Sequence, residues 1–167
     1  MDPLIFLDID GVVTSCMTTP GSYLNHEPSD YGPSPDCVER LKALCDSTGT
    51  KIVISSNWRK FDDANSWTYK GKAYKNPLPS LRRLLTGYIV GTLDKIRHQP
   101  KAEALRRWFR SAVIDQTECH YVIFDDDPRE QFGTSEFKKH YIETNAFTGL
   151  TDGDCEKAKN LLFTMFE

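Results

Sequence analysis

Three clusters of polar residues in this 167-residue chain each stand directly behind a short apolar run. Asp8 and Asp10, spaced by one residue and followed by Gly11, close the stretch LIFLDIDG; Ser55, Ser56 and Asn57 follow IVI; Asp125, Asp126 and Asp127 follow YVIF. In an open parallel α/β sheet, the loops beyond the carboxyl ends of the strands converge on one edge, so these groups are expected to meet there. That many carboxylates gathered out of water repel one another and are costly to desolvate unless a cation neutralises them. An oxygen-rich acidic site selects Mg²⁺, which takes only one or two protein carboxylates and leaves room for a phosphate oxygen.

The elements that must position these groups are legible in the pattern of apolar residues. Runs at Leu4 to Leu7, Ile52 to Ile54, Tyr88 to Val90 and Tyr121 to Phe124, with a weaker one at Tyr141 and Ile142, are apolar at nearly every position. Such runs suit strands of a parallel sheet covered on both faces. Helical stripes lie between them. Ser34 and Pro35 make an N-cap and first-turn pair ahead of Val38, Leu41, Leu44 and Cys45, with Gly49 able to end the helix. Ala102, Leu105, Trp108 or Phe109, and Ala112 form a second stripe that begins near Lys101 after Pro100. Thr151 and Asp154 stand at capping-box spacing before Ala158, Leu161, Leu162, Met165 and Phe166. Alternating strands and helices predict βαβ crossovers: an α/β fold with a three-layer, Rossmann-like parallel sheet flanked by helices. Residues 1–167 are expected to form a single domain, with a flap at about 14–34 and a small polar hairpin around Gly71 within about 62–80. Neither insertion is long enough to be a domain with its own core.

Composition narrows the setting. No apolar stretch approaches the ~18 residues of a membrane span, and the amino-terminal run is short and broken by acids, so no membrane association is expected. The five cysteines, Cys16, Cys37, Cys45, Cys119 and Cys155, are scattered and odd in number, which argues against a disulfide framework or a structural zinc site and for a reducing cytoplasmic location. None of the histidines, His26, His98, His120 or His140, shows ligand spacing. Net charge is −3, yet from Arg59 to Arg110 the acids are only Asp62, Asp63, Asp94 and Glu103 among many lysines and arginines. That basic middle is either a solvated face or a hint of an anionic partner.

The ordered set of DIDGV after a strand, Ser-Asn after a second run, a helix-opening lysine and a final run ending in Asp-Asp resembles the four motifs of the haloacid dehalogenase (HAD) superfamily of phosphohydrolases. More narrowly, FLDIDGVV, IVISSNWR, KAEALRRWF, YVIFDDDP and GLTDGDCEKAKNLL are similar to the HAD domains associated with Swiss Army Knife RNA-repair proteins. The resemblance implies an HAD-like fold and Asp8 as a nucleophile that forms an aspartyl-phosphate, dividing hydrolysis into two easier steps. It implies Asp10 as the acid that protonates the departing alcohol and then the base that activates water. Ser56, Asn57 and Lys101 would hold the phosphoryl group, and the side chains of Asp8, Asp125 and Asp126 with the backbone carbonyl of Asp10 would hold Mg²⁺.

Each piece has an ordinary rival. A lone Asp-x-Asp-Gly is more often a turn, a serine or the triple aspartate can cap a helix, and a lysine in a first turn can be solvated. The joint occurrence in order favours the site. Three choices stay open at this level: Ser55 against Ser56, Lys95 against Lys101, and the second metal carboxylate among Asp125, Asp126 and Asp127. With no large cap domain, the cleft should be open to a bulky phosphorylated substrate, an RNA or DNA end being preferred. Alternatives are a small-metabolite or phosphoprotein phosphatase, or a non-enzymatic receiver-like phosphoacceptor. Receivers carry their acceptor acid after the third strand, whereas here the acids follow the first. Oligomeric state is not readable from the chain.

Overall fold

The computed structural model describes residues 2–14, 33–61, 66–69, 72–94 and 99–163, with the backbone alone for 60–61, 66–69 and 72–75. The flap expected at about 14–34 therefore falls almost wholly outside the described residues, as do Lys95, Cys16 and the expected helical positions Met165 and Phe166. The chain runs β1 (Leu4–Leu7), α1 (Pro35–Thr48), β2 (Lys51–Ile54), β3 (Ser66–Tyr69), β4 (Lys72–Lys75), α2 (Leu78–Leu84), β5 (Ile89–Thr92), α3 (Lys101–Ser111), β6 (Tyr121–Asp125), β7 (Tyr141–Glu143) and α4 (Asp152–Phe163), with short 3₁₀ segments at Asn57–Phe61 and between β6 and β7.

Five strands form one parallel sheet in the order β5-β2-β1-β6-β7. Its two faces carry two cores, because successive side chains alternate across a strand. Ile5, Leu7, Ile54 and Phe124 pack against Leu41 and Leu44 of α1, Leu81 of α2 and Ala158 and Leu162 of α4. Phe6, Val53 and Ile123 face the other way, onto Leu105 and Phe109 of α3 and onto Phe132 and Phe137. The result is a three-layer, Rossmann-like α/β fold without a large cap among the described residues. β1 lies at its centre and all four of its side chains are buried. Each such aliphatic or aromatic side chain contributes roughly 1.5–3 kcal/mol on burial, a reserve against the charge held at the strand's tip.

Several local expectations meet their physical reasons here. Gly49 ends α1 at φ 68°, the left-handed conformation that glycine adopts without a Cβ penalty. The capping box at α4 closes in both directions: Asp154 Oδ2 accepts from the Thr151 amide and hydroxyl, and Thr151 Oγ1 accepts from the Asp154 amide. Ser34 does occupy the N-cap of α1, but its side chain makes no capping hydrogen bond, and Pro35 in the first turn leaves one fewer amide to satisfy. β5 starts at Ile89 rather than Tyr88 and is half exposed at the sheet edge, so the cover expected on both its faces is incomplete. α2 had no counterpart in the apolar pattern. It is a short helix opened by Pro79 near its start, with the Asn76 side chain accepting from the Leu78 amide. The segment before it holds an antiparallel pair, β3 with β4, in a register that sets Trp67 opposite Tyr74.

Candidate active site at the carboxyl edge of the sheet

Strand register brings three distant polar residues into one row. Leu7 pairs with both Ile54 and Phe124, and the ladder continues one residue further: the Asp8 amide donates to Phe124 O at 3.0 Å and the Ser55 amide to Leu7 O at 2.8 Å. Asp8, Ser55 and Asp125 thus end adjacent strands side by side. Alternation from Phe6, Val53 and Ile123 turns all three toward the face that α3 covers. Lys101, the first residue of α3, delivers its ammonium into this row, 3.0 Å from Asp8 Oδ1 and 2.7 Å from Asp125 Oδ2, and all three side chains are buried.

Asp8, Asp125 and Asp126 each offer one carboxylate oxygen to a group spanning no more than 4.8 Å. An octahedral Mg²⁺ with ~2.1 Å bonds needs oxygens about 3 to 4 Å apart, so these residues fit the ion after a small contraction. Their electrostatics point the same way. Burial, then Asp8, raises Asp126 to about 7, against the pull of Lys101. Asp125 is also raised, chiefly by burial and then by Asp8, although a lysine touches it. Lys101 goes the opposite way: burial alone would lower it, but Asp8 and Asp125 outweigh that and hold it above the usual lysine value. One ammonium does not neutralise this many acids, and a divalent cation would.

Gly11 is required by its neighbour as well as by its turn. Its φ is +71°, and a Cβ there would clash with the Asp126 carboxylate. Thr144, just past β7, clamps the turn by donating to Gly11 O at 2.8 Å, while its amide donates to Asp125 O.

Asp10 sits beside the row rather than in the carboxylate triplet. Its Oδ2 accepts the Trp58 indole N–H at 2.7 Å and its Oδ1 accepts the Thr14 hydroxyl at 3.3 Å. Burial, then repulsion from Asp8, raises it to about 6, despite these two bonds and Lys101. Asp127 turns away: it accepts the Arg129 amide as the cap of the following 3₁₀ turn and pairs with the Arg129 guanidinium. The two serines differ as well. Ser56 Oγ accepts the Trp58 amide at 3.3 Å, whereas Ser55 Oγ is fully buried with no hydrogen-bond partner among the described residues. Asn57 is exposed, and its amide donates to Glu130 Oε1. Glu130 Oε2 in turn accepts the Lys101 amide at 2.6 Å, so Asn57 supports the start of α3.

Sequence reasoning did not single out Trp58, Arg59, Glu130, Thr14 or Thr144. Trp58 and Arg59 lie in the motif run SSNWR, where only their adjacency to the serines marks them. Arg59 is buried and donates to Ser55 O and Ser56 O, fixing the serine turn from behind. Nothing in the local pattern distinguishes Glu130 or Thr144. Two clefts lie elsewhere: about 520 Å³ between β7 and α4, and about 670 Å³ beside the carboxyl half of α3. Neither is lined by the acidic row.

A search among curated proteins found no significant match. One solved crystal structure aligns over 99% of this chain and 83% of its own, at 16% identity and a TM-score of 0.47, a likeness too distant to bear on function. Residues 4–155, from the first strand through the opening of the last helix, match the family described as the HAD domain in Swiss Army Knife RNA repair proteins, and the chain belongs to that family.

Proposed function

We propose that this protein is a Mg²⁺-dependent phosphohydrolase that works through an aspartyl-phosphate on Asp8, with a nucleic-acid terminal phosphate as substrate. Membership in an HAD-domain family suggests phosphohydrolase chemistry. The observation that carries the reading is the row itself: two carboxylates and an unpartnered hydroxyl on adjacent strand ends, with a lysine ammonium between the acids. A carboxylate oxygen of Asp8 attacks phosphorus as the ester bond breaks; Asp10, raised to about 6 by burial and by Asp8, protonates the leaving oxygen and later takes a proton from water. Lys101 meets the charge on the phosphoryl oxygens. Magnesium held by Asp8, Asp125, Asp126 and the Asp10 carbonyl would supply charge neutralisation to acids and phosphate alike.

The hydroxyl that serves the phosphate is Ser55 in this reading, in place of the Ser56 expected from the sequence. Ser55 shares a row and a face with Asp8 and Asp125, and a buried hydroxyl left unpaired is unfavourable until a ligand oxygen accepts from it. Asn57 acts at one remove, through Glu130. Support for a nucleic-acid substrate comes from the family description and from exposed Arg83, Arg107 and Arg110. Arg59 and Lys101 do not contribute to such a surface, being buried. The free, buried Cys37, Cys45, Cys119 and Cys155 fit a reducing cytoplasm, and no described helix is long and apolar enough to cross a membrane.

The test is phosphate release, with and without Mg²⁺, from p-nitrophenyl phosphate, nucleotides and 3′- or 5′-phosphorylated oligonucleotides. Asp8→Asn should fold and lose activity by at least about 10³-fold, because the amide is isosteric and a poor nucleophile. Ser55→Ala should cost about 10²-fold and Ser56→Ala clearly less. Oligonucleotide ends should outpace nucleotides and slow steeply with salt. Equal rates on both would reject the substrate class, and a stable phosphoprotein without turnover would favour a receiver-like phosphoacceptor.

A further inference from the structure

Behind the two serines, three consecutive side chains reach three different loops. Asn57 bonds to Glu130 after β6, Arg59 donates to Asp94 O after β5, and Trp58 reaches Asp10 after β1. The tryptophan contact is unlike the other two because it ends on a group that must move a proton. The indole is 6% exposed, packed within the core formed by α1, α2 and α4, so its N–H is held in place before any substrate arrives.

We propose that Trp58 is a positioning residue for proton transfer: its indole N–H occupies Oδ2 of Asp10 and assigns to Oδ1 the proton exchanged with the leaving group and with water. The proposal rests on the phosphatase reading above. A terminal carboxylate torsion is broad and nearly two-fold, so without an anchor the two oxygens exchange places. Indole N–H is a donor only, and an oxygen that accepts from it is the carbonyl-like one when the carboxyl is protonated. The partner of the other oxygen is of a different kind. Thr14 Oγ1 lies 3.3 Å from Asp10 Oδ1 and 3.3 Å from Ile9 O. A hydroxyl both donates and accepts. It can donate to Oδ1 when the carboxylate is ionised, and accept from Oδ1 while donating to Ile9 O when the proton is present. One side of the carboxyl is thereby locked and the other is free to change state. In the first half-reaction an Asp8 oxygen bonds to phosphorus, the ester P–O bond breaks with its electron pair going to the alcohol oxygen, and the Oδ1 proton moves to that oxygen. In the second, water oxygen bonds to phosphorus, its proton passes to Oδ1, and the Asp8–phosphorus bond breaks with its pair returning to Asp8.

Trp58→Phe removes the donor and keeps most of the ring. With Mg²⁺ present, kcat/KM is compared on an alkyl phosphate, whose poor leaving group needs the proton, and on p-nitrophenyl phosphate, whose leaving group does not. The alkyl substrate should lose about tenfold more than the aryl one, Asp10→Asn should widen the gap further, and Trp58→His, which restores a ring N–H, should recover part of it. Equal losses on both substrates would reduce Trp58 to a brace and overturn the proposal. Should Trp58→Phe fail to fold, the Trp58 indole N–H resonance decides: it should move upfield in Asp10→Ala, and an unmoved signal also overturns the proposal. A wild type inactive on both esters, or an active Asp8→Asn, would instead remove the phosphatase reading beneath it.

Discussion

Helix α3 begins in one electrostatic environment and ends in another. At its first residue, Lys101 pairs with Asp8 and Asp125 at 3.0 and 2.7 Å, with all three side chains at most 6% exposed. One turn and more along, Arg106 pairs with Glu103 at 3.0 Å and with Glu136 at 2.6 Å, where Arg106 is 35% and Glu136 40% exposed. The contacts are equally short, yet the acids respond in opposite directions. Arg106 lowers Glu136, while Asp125 is raised even with an ammonium against it. Burial makes the difference, because desolvation and the neighbouring Asp8 outweigh one lysine at Asp125, whereas at half-exposed Glu136 the Arg106 hydrogen bond outweighs a smaller desolvation penalty. The outer half of α3 is electrostatically relaxed. The inner end is short of positive charge, and a phosphoryl site with its cation is what would complete it.

That contrast can be broken most severely at Lys101. Lys101→Met should lower phosphatase turnover by about 10²-fold or more, and in metal-free protein at pH 7 should cost on the order of 3–5 kcal/mol by stranding buried acids. Chemical denaturation beside kinetics would check both. A mild effect would mean that water reaches the row.

A titration sharpens the same point. Asp10 and Asp126 titrate at about 6 and about 7 in the fold against 3.8 unperturbed. The folded protein therefore holds more protons than the unfolded chain between those values, and the stability linked to these groups is fully present below about 4 and lost as pH rises through 6 and 7. Metal-free Tm should fall across that window, and the gain in Tm on adding Mg²⁺ should be larger at pH 7.5 than at pH 5. A Mg²⁺ effect independent of pH would separate the ion from these acids. The smallest effect belongs to the outer network: Glu136→Gln should change stability by about 1 kcal/mol or less and leave turnover unchanged, as a urea melt and an activity assay would show.

Element type and order were readable because they depend on local pattern. The runs at Leu4 to Leu7 and Tyr121 to Phe124 became β1 and β6 nearly residue for residue, and Thr151 with Asp154 closed the box the spacing implied. β5 and α2 were harder to read: one slid by a residue at a half-exposed edge, and the other is too short for a 3.6-residue period to register. At the site, residue types pointed to acids, hydroxyls and a lysine at one rim, but a run of three aspartates or two serines contains no information about which way each side chain faces.

The sequence alone determined the alternation of strands and helices, and hence that Asp8, the serine pair and the aspartate run share an edge, because hydrophobic periodicity and chain direction are local properties. Only the tertiary structure decided that Asp127 caps a turn while Asp125 and Asp126 join Asp8, that Ser55 has no hydrogen-bond partner among the described residues, and that Trp58 holds Asp10. Those outcomes follow from strand register and from the close approach of Gly11 to Asp126, set by packing between segments about fifty residues apart for Ser55 and Trp58 and more than a hundred apart for the aspartates.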